Sequence, residues 1–319
     1  MEILYLSLAC LLFSVQFIFS KAFQTRSAGG YAVGIWRSVV VSLAMLCYLI
    51  PMTGLPFAVT PTAWGYSIVY TLINFLGTAV LVPALKLGSL SITTTYCLLG
   101  GMILPFLYGI LFLHEALTAT KCVGIALLTL SLLPALLHRE DDGEQQAAAQ
   151  STSLRKHLLF HGLCIIIFLT NGMGSCIAKA HQISPDAIDT NCFLALTTIQ
   201  NALLSLLILT AIAIFWRAHG QKDAFRGAFW EIGLEKMSGK LMLILVLCCA
   251  AYSACNGVGN LFSFQCAKTM DSSIQFPIIS AAVIVLTAFF GRIFFKEKIH
   301  RSDWIRLILS MAGILVFMF

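Results

Sequence analysis

Charge is what this sequence has least of: 11% of its 319 residues are Asp, Glu, Lys or Arg. A water-facing surface on a chain of this length takes about 25%. An ordinary soluble domain is therefore excluded, and lipid must lie against much of the outside. The net charge of +6 sits in connections between apolar runs, so it reflects topology and implies no nucleic-acid partner. Metal-ligand spacing is lacking too. Eleven cysteines are present, yet none forms a C-x-x-C pair. Most lie inside apolar runs, where free Cys acts as a small hydrophobe, so no metal and no bound cofactor is expected. A cleavable leader is lacking as well. Glu2 is the only charge before Lys21, and no small-x-small site sits in a polar flank, so residues 2–20 read as a retained first span.

What is present is a succession of ten apolar runs, most of about 18 residues or more, long enough to cross some 30 Å of hydrocarbon as helices. They cover 2–20, 31–50, 63–85, 89–112, 119–138, 157–178, 190–215, 240–266, 270–294 and 302–319. Pro51, Gly54, Pro56 and Pro61 mark the turn between spans two and three, and Ser184-Pro185-Asp186 that between six and seven. Residues 139–156 form a charged Gln/Ala/Ser-rich linker near mid-chain. The basic stretch 216–240 is expected along the membrane surface, anchored by Phe225, Phe229 and Trp230.

The linker separates two halves that repeat. A gapless shift of 182 residues lays Tyr70, Asn74 and Gly77 on Tyr252, Asn256 and Gly259, Lys86 on Lys268, Ser91 on Ser273, and Glu115 on Glu297. Lys and Glu are scarce here, so their coincidence at one shift is the strong part of the match. Five spans per half is an odd number, which inverts the second half in the membrane. The expected fold is an all-α membrane protein of ten transmembrane helices in two inverted five-helix repeats, 1–138 and 157–319, a transporter architecture.

The Ser/Thr-rich start of span four, the ending LFLHEALTATKCVGIALLTLSLL and its second copy FFKEKIHRSDWIRLILSMAGILVF together resemble the drug/metabolite transporter superfamily, in its ten-helix EamA-type members. The resemblance covers essentially the whole chain and implies export or exchange of small metabolites such as amino acids, without a cofactor. The small four-helix members of that superfamily use a membrane-embedded Glu in their first helix. Here Glu2 stands at the end of span one and span six has no acid, which argues against proton-coupled export of cationic drugs.

Polar groups inside spans are the candidate solute-binding residues. Tyr70 and Asn74 share a face of span three, as Tyr252, Asn256 and Asn260 do of span eight. Thr94 and Tyr96 begin span four, Ser273 and Gln275 begin span nine, and Gln16 and Asn171 lie in spans one and six. Hydrogen bonds between helices would also use such groups. Arg37, two turns into span two, carries a charge costing roughly 2.5–3.5 kcal/mol at a span centre; it either meets a solute carboxylate or snorkels to the interface. Lys86 and Lys268 read as helix C-caps or as anion contacts at cavity mouths. Glu115 and Glu297 read as caps of the span that follows each. His114-Glu115 is no metalloprotease motif, because Thr118 stands where the second His belongs. NGMG (171–174) and NGVG (256–259) lack the strand and third Gly of a dinucleotide site and suit close helix packing. Pro105 and Pro277 are expected as kinks lining a cavity.

Odd-numbered connections hold sixteen Lys and Arg, and even-numbered ones hold Lys121, Lys179 and Lys268. That bias places the odd connections in the cytoplasm and both termini outside. The expected protein is a secondary transporter of the cell (inner) membrane, working by alternating access as monomer or homodimer. A lipid-processing membrane enzyme would need clustered acids or a nucleophile–base pair, and the spans offer neither. A scaffold without transport would have no use for midplane polar groups.

Overall fold

Away from water only a helix lets every backbone N–H and C=O pair within its own segment, and the apolar runs coil accordingly. The computed structural model describes residues 1–27, 32–87, 90–137, 153–219, 238–295 and 301–318. Over these the chain forms ten α-helices: α1 (Glu2–Gln24), α2 (Ala32–Thr53), α3 (Pro61–Leu87), α4 (Leu90–Phe112), α5 (Ala119–Leu137), α6 (Ser153–Gln182), α7 (Thr190–His219), α8 (Gly239–Ala267), α9 (Ser272–Phe295) and α10 (Arg301–Met318). Among the described residues there is no strand. Among the described residues eight helices hold stretches long and apolar enough to cross a membrane, and α5 and α10 hold the apolar stretches Ala119–Leu133 and Trp304–Phe317. This is a multi-pass helical membrane protein.

Boundaries differ from the sequence expectation in places. Residues 153–156, expected as linker, are the first turn of α6, and α7 runs on to His219. Pro51 lies inside α2 rather than in the turn; the helix stops two residues later, where Gly54 adopts φ +71°, a conformation glycine takes without strain. Glu297, the rest of the linker and the anchors Phe225, Phe229 and Trp230 lie outside the described residues.

Packing is inside-out relative to a soluble protein. Leu43, Leu72, Leu76, Leu206, Leu207 and Leu247 are exposed, while Ser14, Ser67, Thr93, Thr95, Ser263 and Gln275 are buried. Lipid rewards apolar side chains outside, and polar ones go where other helices can bond them. The main pairings are α1 with α8 and α9, α6 with α3 and α4, α2 with α7 and α8, α3 with α7, α4 with α9, and α5 with α10. Small residues make the tightest crossing possible. A Cβ on Gly100 of α4 would run into the Phe168 carbonyl, and one on Gly172 of α6 into the Gly100 carbonyl. Gly172 belongs to the NGMG segment expected to pack closely.

One end of the bundle carries both described chain ends and the turns after α2, α4, α6 and α8. There Glu115 accepts the N–H of Ser272 at 2.7 Å and of Ser273 at 2.9 Å, and the Ser273 hydroxyl as well. It therefore caps α9 and not the following α5, which Thr118 caps through the Lys121 N–H at 3.2 Å. His114 at φ 54° reverses the chain after α4, and tertiary folding brings the α9 N-terminus within reach. The C-terminus of α8 is likewise capped by a distant group. Lys179, 5% exposed, donates to the carbonyls of Ala267 at 2.7 Å and Met270 at 2.6 Å, while Lys268 is exposed. Lys121 pairs with Asp271 at 2.8 Å, and Thr60 donates to the Asp186 carbonyl at 2.9 Å.

Candidate functional site

A cavity of about 410 Å³ lies in the middle of the bundle, walled by residues of α1, α2, α3, α4, α6, α7, α8 and α9. That size accommodates a metabolite-sized solute. Its wall is rich in carboxamides: Gln16, Asn74, Asn171, Asn201, Asn256 and Asn260. Helical spacing puts Asn256 and Asn260 on one face of α8, one turn apart. The Asn256 amide donates to Gln16 Oε1 at 2.8 Å, tying α8 to α1. Asn260 in turn donates to the Asn256 carbonyl at 2.8 Å. Across the cavity Asn171 donates to the Cys97 carbonyl at 2.7 Å, tying α6 to α4. Asn74 donates to the Tyr70 carbonyl within its own helix at 2.8 Å. Each amide carries two donor hydrogens and a carbonyl oxygen, so one such bond leaves capacity for a second partner. Bonding between helices and contact with a solute are compatible roles here.

Among the described residues Arg37 is the one Lys, Arg, Asp, Glu or His side chain in the cavity wall. Its Nη2 donates to Ser20 Oγ at 3.1 Å, and its guanidinium carbon stands 4.4 Å from the centre of the Tyr252 ring and 5.4 Å from that of Phe23. Stacking on Tyr252 favours the cation and holds the planar group still. Among the described residues no carboxylate forms an ion pair with it.

The cavity is asymmetric along the bundle axis. Gly34 and Arg37 near the start of α2, and Thr78 and Leu81 in the second half of α3, extend it toward the end where α1 joins α2. Toward the opposite end it is floored by apolar groups. Tyr70 packs edge-on against Phe193 and Phe264, at 5.9 and 6.2 Å between ring centres. Beneath them Met45, Leu49, Ala178, Leu194 and Leu261 form a buried cluster, with His181 stacked on Phe193 at 3.8 Å. This floor and the bonded turns below it seal one end of the bundle.

Of the residues expected to bind solute, Arg37, Tyr70, Asn74, Asn171, Tyr252, Asn256 and Asn260 are brought together in this wall. Four are not. Tyr96 has its hydroxyl 3.2 Å from His161 Nδ1, off the cavity, and Thr94 also lies outside the wall. Ser273 is bound to Glu115. Gln275 is fully buried and donates to the Ser263 carbonyl at 2.6 Å. These four stand in the first two turns of α4 and α9, at the bundle ends, where their partners are helix termini and neighbouring helices. Pro105 and Pro277 are within α4 and α9 but do not line the cavity, although Phe276 does.

Ser38, Ser42 and Asn201 join the wall as well, without having been expected there from the sequence. Asn201 of α7 donates to Ser42 at 2.9 Å and to Ser38 at 3.1 Å. Ser38 and Ser42 stand four residues apart beside Arg37, a helical spacing that could have flagged them. Asn201 has no such neighbour, and only the α2–α7 packing reveals it.

No family model matches this sequence, and no curated protein does. Among solved structures, a crystal structure of a protein superposes on 99% of this chain and 95% of its own with a TM-score of 0.67, at 13% identity. That likeness extends to the fold alone.

Proposed function

We propose that this protein is a secondary transporter of small polar metabolites, built as two inverted five-helix repeats and working by alternating access in the cell membrane. The observation that carries the reading is the amide-rich cavity, walled from both halves of a membrane protein and floored toward one end by packed aromatics. Polar groups at mid-bilayer are expensive unless they serve a solute path. The helix pairings support the inverted duplication. Advancing every helix by five exchanges α1–α8 for α6–α3, α1–α9 for α6–α4 and α2–α8 for α7–α3, and returns α2–α7, α4–α9 and α5–α10 to themselves. The 182-residue correspondence adds the matched pairs Tyr70/Tyr252 and Asn74/Asn256. The motifs that resemble EamA-type members of the drug/metabolite transporter superfamily point the same way.

Under this reading the described conformation is sealed at the end bearing Glu115, Lys179 and Phe193. The distribution of basic residues makes that end extracytoplasmic, so the cavity faces the cytoplasm. Transport would exchange this arrangement for one in which the opposite end is sealed. Uptake and counterflow of labelled amino acids, sugars and organic acids into proteoliposomes test the proposal. Saturable flux of at least one class is expected, and absence of flux for all of them counts against transport.

A further inference from the structure

The cavity wall carries a charge without a counter-charge. We infer, resting on the reading of this cavity as a solute site, that it takes a polar organic monoanion whose carboxylate is held by Arg37.

Among the described residues Arg37 alone supplies formal charge to the wall; every other polar group there is an amide, a hydroxyl, a thiol or a phenol. The carboxylates with described side chains, Glu2, Glu115, Asp186, Asp189 and Asp271, all belong to the sealed end of the bundle. Arg37 lies five residues from Ala32, toward the other end. An unpaired cation between helices is costly, and an anion within reach offsets that cost. A cationic solute would meet repulsion and no compensating acid. A neutral solute would leave the guanidinium as it is.

The geometry suits a carboxylate. A guanidinium has five N–H donors in a planar fork. The Tyr252 contact uses a face of the plane and Ser20 accepts one hydrogen, which leaves edge donors for the two oxygens of a carboxylate. The remainder of the solute has two kinds of wall to meet. Amides of Asn74, Asn171, Asn256 and Asn260 can bond hydroxyl, carbonyl or amide groups, while Phe13, Phe17 and Phe276 offer apolar surface. An α-ammonium would find only neutral oxygens, so a net anion is favoured over the zwitterion of the same skeleton.

Two series of solutes with matched skeletons test this on the purified full-length protein. One is N-acetylphenylalanine, N-acetylphenylalaninamide and phenylalaninamide, with net charges −1, 0 and +1 at pH 6. The other is gluconate, gluconamide and glucamine. Binding is read by thermal shift in detergent and transport by counterflow in proteoliposomes. In each series the anion is expected to bind about tenfold or more tighter than its neutral partner, as a charge-assisted hydrogen bond gives. Arg37→Gln should bring the affinity for each anion down to that for its neutral partner, and Arg37→Lys should keep part of the preference. Size-exclusion profiles report whether the variants fold, and the wild-type series stands without them. Equal or tighter binding of neutral or cationic members, no binding of either anion, or an intact preference in a folded Arg37→Gln protein overturns the inference. Anion binding without flux would keep the site and remove the transporter reading. Flux without charge preference would do the reverse.

Discussion

The first five helices and the last five meet the cavity with partly the same side chains and partly different ones. Tyr70 and Asn74 on α3 match Tyr252 and Asn256 on α8, yet their surroundings diverge. Tyr252 lies under a guanidinium, whereas Tyr70 packs against Phe193 and Phe264 in the sealed floor. Asn256 bonds another helix through Gln16, and Asn74 bonds its own backbone. Charge enters from one side only, through Arg37 of α2, while α7 offers neutral Asn201. Residues matched in sequence thus meet different partners in the two halves. The one formal charge of the described wall comes from an unmatched residue, Arg37.

The largest break in this comparison concerns the helix crossings. Gly100 of α4 touches the Phe168 carbonyl, but the residue 182 positions later is Ala282, which already has a Cβ. Gly100→Ala should cost about 3 kcal/mol or prevent folding, since backbone cannot give way as a side chain can. Ala282→Gly should cost about 1 kcal/mol or less. Yields and thermal midpoints of the two variants check this, and equal tolerance would show that the crossings do not differ.

Next in size is the cap that joins the halves. Glu115→Ala removes the acceptor of two α9 N–H groups and of the Ser273 hydroxyl, and about 2 kcal/mol of stability should go with it. Glu115→Gln retains an oxygen acceptor without the charge and should cost about half as much. Chemical denaturation in detergent measures both; a neutral Glu115→Ala would mean that other contacts secure the α9 terminus.

The smallest effect sharpens the Asn74/Asn256 contrast. Asn256→Ala strands Gln16 Oε1 and should lower stability by about 1–2 kcal/mol, whereas Asn74→Ala gives up a bond within its own helix and should cost about 0.5 kcal/mol. Thermal midpoints that fall equally would erase the difference drawn between the two positions.

Helix number, order and the apolar exterior were legible in the sequence, because hydrophobic length and backbone pairing in lipid are local properties of each segment. So were seven cavity residues, since a polar side chain inside an apolar run must face a neighbour or a solute. The caps were misplaced for a physical reason. Glu115 and Lys179 bind termini of helices more than 80 residues away in sequence, and no local pattern announces such partners. Ser273 and Gln275 carried the same polar signature as Asn256 and Asn260, but their helix-end positions turned them to structural bonds.

Local chemistry along the chain makes it a string of membrane helices with polar groups and one arginine inside it. Packing between distant segments sets which of those groups share a cavity, that Arg37 stacks on Tyr252 of a helix some 200 residues later, and that aromatic side chains floor one end. Helices form from contacts within a segment, whereas a cavity and its charge are set by how separate segments pack.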